Sequence, residues 1–296
     1  MPKNPLAEVF GYPVENMTQD AQNHRHGRLC PFHNSSGMNC TKVSATDPIG
    51  VCSIIERNNV VATCPVRFRD DFKIISDAAN FFFPGKKYIA LTEARLKDLY
   101  GKSAGNIDIV IASIGENGEI TDFGAIEVQA VYITGNIRKV FERYMESPAT
   151  NFKMEWPAKN YPSPDYLSSS RKRLAPQLIY KGSILHQWGK KMTVVVDENF
   201  FGQLPELQEV SKEEADIAWM IYGFQKSKDK YVLSKRKVKY TYFKDALDTI
   251  TTPDVGDVTN FVEYLTVRIS KGKIMGTPAE IGIAPEVEPL SNSLDK

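Results

Sequence analysis

The sequence predicts an α/β protein that carries a loop-rich module at its N-terminal end. Three observations lead there. Two apolar strand patterns flank an Asn-Gly dipeptide at Asn117-Gly118, helical and strand-like segments alternate after them, and four cysteines crowd into a stretch rich in Gly, Pro, Asn, Ser and Thr.

The elements follow in order. Residues 1–27 are polar and read as a partly helical arm, and residues 28–69 form the cysteine module. Residues 70–83 read as a helix or extended linker ending at Pro84-Gly85. Residues 92–100 read as a helix, with Thr92 as its cap and Gly101 as its stop. Two strands, 105–112 and 122–131, are joined by a hairpin, because Gly tolerates positive φ and Asn visits it readily. Residues 136–146 place Ile137, Val140, Phe141 and Tyr144 on one helical face. A loop over 151–165 precedes a helix from about 170 to 188 and a buried strand at 192–196. Residues 217–224 form a strand or short helix, and 231–243 alternate as a strand should. The chain therefore divides into an arm and cysteine module (1–70), a main domain (71–280) and a disordered tail (281–296).

The hairpin carries the chemistry. Asp108 stands in the run Ile107-Asp108-Ile109-Val110-Ile111-Ala112, and Glu127 and Gln129 stand in Ile126-Glu127-Val128-Gln129-Ala130. Alternate side chains share a face, so Glu127 and Gln129 project together and Asp108 meets them across the hairpin. Paired carboxylates also occur on solvated sheets. Here, though, the apolar setting buries Asp108 in part, and a buried carboxylate needs a partner. A divalent ion held by Asp108, Glu127 and the carbonyl of Val128 would complete an oxygen-rich shell of the kind magnesium prefers. Glu93 sits in the first turn of the helix predicted at 92–100. That helix runs towards Asp108, so Glu93 is a candidate additional carboxylate, although the helix macrodipole alone favours an acid there.

Cys30, Cys40, Cys52 and Cys64 are separated by nine, eleven and eleven residues, which matches no common zinc-finger spacing. Two disulfides and four unrelated thiols are the alternatives. The start Met1-Pro2-Lys3-Asn4 is not a signal peptide and no apolar run reaches membrane-spanning length, so a reduced cytoplasm is expected, with thiolates on a structural metal. Sulfur ligation suits zinc or iron alike. His24, His26 and His33 are rival ligands.

With 296 residues and 42% hydrophobic content the chain can bury a sizeable core, and a net charge of +1 argues against a polycation that coats nucleic acid in bulk. Charge is nevertheless segregated. Residues 166–196 contain no Asp or Glu but include Arg171, Lys172, Arg173, Lys181, Lys190 and Lys191, and residues 226–239 hold seven basic residues against Asp229. Such stretches can track a phosphate backbone, with Arg171, Lys172, Arg173, Lys235, Arg236 and Lys237 as candidate DNA contacts. A solvated lysine face is the plainer alternative. Arg25, Arg28, Arg67 and Arg69 join Arg171 and Arg173 as candidate base readers.

Asp108 with Glu127-x-Gln129 resembles the PD-(D/E)xK nuclease motif in the variant where Gln replaces Lys. Four cysteines upstream of that motif resemble the NotI family of restriction endonucleases, over about residues 27–133. The resemblance implies a PD-(D/E)xK core, in which a central mixed sheet is flanked by helices, and a four-cysteine iron or zinc site. It implies magnesium-dependent water attack on a phosphodiester, leaving 5'-phosphates, by a homodimer on a palindromic, GC-rich double-stranded site. Gln129 can neither be protonated nor act as a base, so its role would be to orient the attacking water. A non-catalytic, metal-stapled DNA-binding protein would explain the cysteines and basic stretches equally well but leaves the carboxylate pairing as coincidence. A repair or junction-resolving nuclease and a redox protein rank below it.

Overall fold

In the computed structural model, which describes residues 3–33, 37–44 and 46–273, the chain falls into two units, Met1–Thr252 and Pro253–Lys296. The expected disordered tail lies outside the described residues.

The first unit is built on two principal sheets. The smaller has the order β2-β1-β3-β4, from β1 (Leu6–Val9), β2 (Tyr12–Pro13), β3 (Val51–Glu56) and β4 (Asn59–Ala62). The larger uses β5 (Tyr88–Lys97), β6 (Ser103–Ile114), β7 (Ile120–Gln129), β10 (Met192–Asp197), β11 (Ile217–Ser227) and β12 (Lys230–Thr241), in the order β12-β11-β10-β7-β6-β5. Between them in sequence, β8 (Tyr132–Ile133) and β9 (Pro164–Asp165) form a two-stranded ladder. β10 runs parallel to both β7 and β11, while the outer pairs are antiparallel, so the sheet is mixed as expected.

Helices cover both faces of the larger sheet, and its central strands read accordingly as unbroken apolar runs: Val194, Val195 and Val196 are all fully buried. On one face, α2 (Lys73–Phe82) packs Ile74, Ala78 and Phe81 against Ile109, Ile111, Ile126 and Val195. On the other, α3 (Ile137–Glu146) brings Val140, Phe141 and Tyr144, and a helical run over 166–187 brings Leu174, Leu178 and Leu185, against Val194, Val196 and Trp219. Asn136 caps α3 by accepting the Lys139 N–H at 3.2 Å.

The hairpin is present as read. Gly118 takes φ +83°, its N–H reaches Gly115 O at 3.2 Å, and Gly115 N–H reaches Glu119 O at 2.9 Å.

Three expectations need correction. Residues 1–27 are not a free arm: α1 (Gln19–Gly27) exists, but Leu6 and Val9 are fully buried in the small sheet. Residues 28–69 are irregular only to about residue 50, after which β3 and β4 pair. Residues 92–100 are not a helix, because β5 is a strand. Thr-Glu-Ala-Arg-Leu-Lys is a string of good helix formers, yet β6 offers an open edge to pair with, and tertiary context overrides propensity.

In the second unit, residues Val258–Ser270 form a helix whose N-terminus is capped by Asp257, which accepts the Thr259 N–H at 2.7 Å. No described helix is long and apolar enough to cross a membrane.

Candidate active site

The site forms where β6 and β7 part. Their ladder runs from Ile114↔Ile120 to Ile109↔Ile126. One residue beyond, the Asp108 carboxylate takes over, accepting the Val128 N–H at 2.8 Å in place of a strand carbonyl. β7 continues alongside β10, with Glu127 opposite Val194 and Gln129 opposite Val196. The splay leaves an open mouth at the strand ends, a usual place for ligands in α/β sheets.

A cavity of about 420 Å³ occupies that mouth, lined by Asp108, Gln129, Tyr132, Arg173 and Gln177, with Thr63 and Pro65 from the N-terminal part of the chain. Gln129 is 5% exposed and donates from Nε2 to Ala130 O at 2.6 Å. Glu127, 1% exposed, is not among the residues that line the cavity, although its neighbour Val128 is. Its Oε2 is ion-paired with Lys181, and its Oε1 is buried with no hydrogen-bond partner.

Electrostatics tie the two carboxylates together. Burial first, and Asp108 second, push the Glu127 carboxyl up to about 8 against the opposing pull of Lys181. Asp108 is raised by burial, held back by the Val128 N–H and by Lys181, and raised again by Glu93. Glu93 therefore does sit near Asp108, but from a strand. It takes a left-handed backbone, φ +56°, between the pairs Thr92↔Ile109 and Ala94↔Ile107, directly across from Asp108.

Two side chains that matter were not singled out from sequence. Lys181 is 6% exposed, and its Nζ donates to Asn106 O at 2.9 Å as well as to Glu127. Gln177 lines the cavity with a buried, unpartnered Oε1. A signal existed: Lys181 stands three residues after Leu178 and four before Leu185, on the apolar face of its helix, where a charge must be paired. The run also contains two π segments, Ser170–Leu174 and Leu178–Gly182, which widen the winding so that Arg173, Gln177 and Lys181, four apart, fall near one face.

Two of the candidate base readers are occupied inside the protein, whereas Arg28, Lys235, Arg236 and Lys237 are exposed. Arg25 is 3% exposed and donates to Asn16 O at 2.6 Å and Pro13 O at 2.8 Å, and Arg67 is 1% exposed against Glu8 at 3.0 Å, so neither can read bases. Lys235 pairs with Asp77 at 2.6 Å, Arg236 with Glu198 at 3.2 Å, and Lys237 lies over the Phe201 ring. Arg28 pairs with Asp47 at 2.7 Å. Arg171, Lys172 and Arg173 are exposed on the helix beside the cavity.

The four cysteines are buried and unbridged. Burial pushes the Cys30 thiol up to about 11 and raises Cys40 and Cys52, and in all three the Cys64 charge adds to the rise. The thiols thus neighbour one another as expected, but among the described residues no group of three or more His, Cys, Asp or Glu stands as a metal-holding cluster. The structure does not support the iron or zinc centre in this arrangement, in which the thiols pack as small hydrophobes.

No curated protein matches the chain. The family model described as Restriction endonuclease NotI matches residues 8–235, well over half the chain and well beyond the span of the motifs. The chain belongs to the NotI family of restriction endonucleases, type II site-specific deoxyribonucleases that act on double-stranded DNA.

Proposed function

We propose that the protein cuts both strands of a palindromic, GC-rich duplex site by magnesium-dependent hydrolysis, through a PD-(D/E)xK-type site made of Asp108, Glu127 and Gln129. The observation that carries this reading is Glu127 Oε1, a buried carboxylate oxygen without a partner beside a second carboxylate whose ionisation is resisted. Oxygen donors in this state fit a hard divalent cation. Bound to Asp108, Glu127 and the Val128 carbonyl, magnesium would neutralise the pair and polarise the phosphate under attack.

The residues of the chain do the rest. Gln129 is anchored through its amide nitrogen on Ala130 O, which leaves its carbonyl oxygen to orient a water in line with the phosphorus. Arg173, on the cavity wall, and the neighbouring Arg171 and Lys172 hold the DNA backbone. The oxygen of water bonds to phosphorus as the bond to the 3'-oxygen breaks, leaving a 5'-phosphate and a 3'-hydroxyl. Glu93, across from Asp108, is a candidate second carboxylate for a further metal position. Two chains related by a twofold axis, each cutting one strand, match a palindrome, and the bacterial cytoplasm is the expected setting.

The decisive experiment incubates the protein with a large sequenced duplex in magnesium, with EDTA and Asp108→Ala as controls, and maps the ends. Discrete fragments sharing a palindrome are expected, with Asp108→Ala and Glu127→Ala inactive yet still binding DNA in calcium. Binding without cuts would favour a non-catalytic DNA-binding protein.

A further inference from the structure

The motif read from β6 and β7 contains two carboxylates and a neutral amide, so it carries no cation of its own. The structure contains one in contact with it. Lys181 reaches in from the 166–187 helix, its stem passing Gly105 of β6, where a Cβ would lie 3.6 Å from Lys181 Cδ. Gly105 has φ +107°, a conformation that suits glycine. The Lys181 ammonium has two partners, Glu127 Oε2 and Asn106 O. A buried ammonium is costly unless paired, and the pairing here is with the carboxylate proposed to take the metal. Three residues of one helix thus serve the site from behind: Arg173 and Gln177 at the cavity, Lys181 at Glu127.

We propose that Lys181 is a positioning residue for cleavage: its ammonium holds Glu127 in place as an internal cation and competes with the divalent ion for that carboxylate. The inference rests on the carboxylate site proposed above. Anchored at one oxygen by Lys181, Glu127 keeps its other oxygen, Oε1, free for the metal. The lysine therefore sets where the carboxylate stands, while its charge opposes the arriving ion.

Competition predicts effects of opposite sign, which mere structural support would not produce. In Lys181→Met, the affinity for Mn²⁺, measured by calorimetry on the full chain without DNA, should rise about fivefold or more, the lower end of the range by which one bound group typically changes the affinity for another. Turnover should fall roughly a hundredfold, because a misplaced carboxylate disrupts the reacting geometry. Lys181→Gln, which retains a donor for Asn106 O, should show the same pair of changes and serves if the Met variant fails to fold. Lys181→Arg should keep the Mn²⁺ affinity near that of the parent. Affinity unchanged or weakened in the folded Met or Gln variant overturns the proposal, whatever turnover does. Glu127→Gln and Asp108→Asn separate the two readings: if neither alters Mn²⁺ binding, the carboxylate site itself fails, whereas if both abolish it and Lys181→Met does not raise it, only the role of Lys181 fails.

Discussion

Asp197 closes β10 in full burial, accepting N–H groups from Ala62 at 3.1 Å and Asn199 at 2.8 Å. Burial outweighs those bonds and lifts its carboxyl from 3.8 to about 6. The folded protein therefore holds this proton more tightly than the unfolded chain does. The stabilisation is complete below pH 3.8, falls as the unfolded chain ionises, and is gone above about 6. Asp197→Asn should flatten that window: between pH 4 and 6 the melting temperature of the parent should drop relative to the variant, and parallel curves would refute the assignment. At this scale Asp108, Glu127 and Gln129 were legible because a polar residue inside an apolar strand is conspicuous. Lys181 was not, since in sequence it reads as one more member of a basic stretch, and only the fold shows it turned inward.

Gly124 fixes the distance between β7 and α2. A Cβ there would sit 2.6 Å from the Phe82 ring at atoms next to its root, which cannot swing aside. Gly124→Ala should therefore destabilise the protein by about 1–3 kcal/mol through overpacking, read as a lower urea midpoint at constant slope. A midpoint equal to that of the parent would mean that α2 is free to shift. The elements most readable in sequence are those whose local pattern and tertiary role agree: the β6–β7 hairpin, α3, and the valine run of β10. Residues 92–100 read as a helix because their composition favours one, and the pairing of β5 with β6, the next strand in sequence, overrides that propensity. The N-terminal strand Leu6–Val9, only four residues long, gives too short an alternation to stand out.

Across the whole first unit, Arg67 is the tie. Its guanidinium lies between the rings of Phe32 and Phe224, at 4.3 and 4.8 Å, bonds Glu8 of β1 at 3.0 Å, and donates to Tyr231 O of β12 at 2.6 Å. Removing Arg67 leaves Glu8 buried without its cation, and removing Glu8 leaves the buried Arg67 with only the Asp70 carboxylate, 3.1 Å away. Glu8→Leu and Arg67→Met should each cost about 3–5 kcal/mol, with the double variant closer to the parent than either single. Denaturant unfolding of all four proteins checks this, and additive losses would refute the coupling. None of this was visible in the sequence, because Glu8, Arg67 and Tyr231 are joined only by the topology. For a nascent chain that separation becomes a matter of timing. The strands of the small sheet are complete at Ala62, but Arg67 finds its last acceptor 164 residues further along the chain. Synthesis must therefore reach β12 before the N-terminal part is fully closed, and a chain halted short of Tyr231 should remain sensitive to protease and dependent on chaperones where the finished protein is neither.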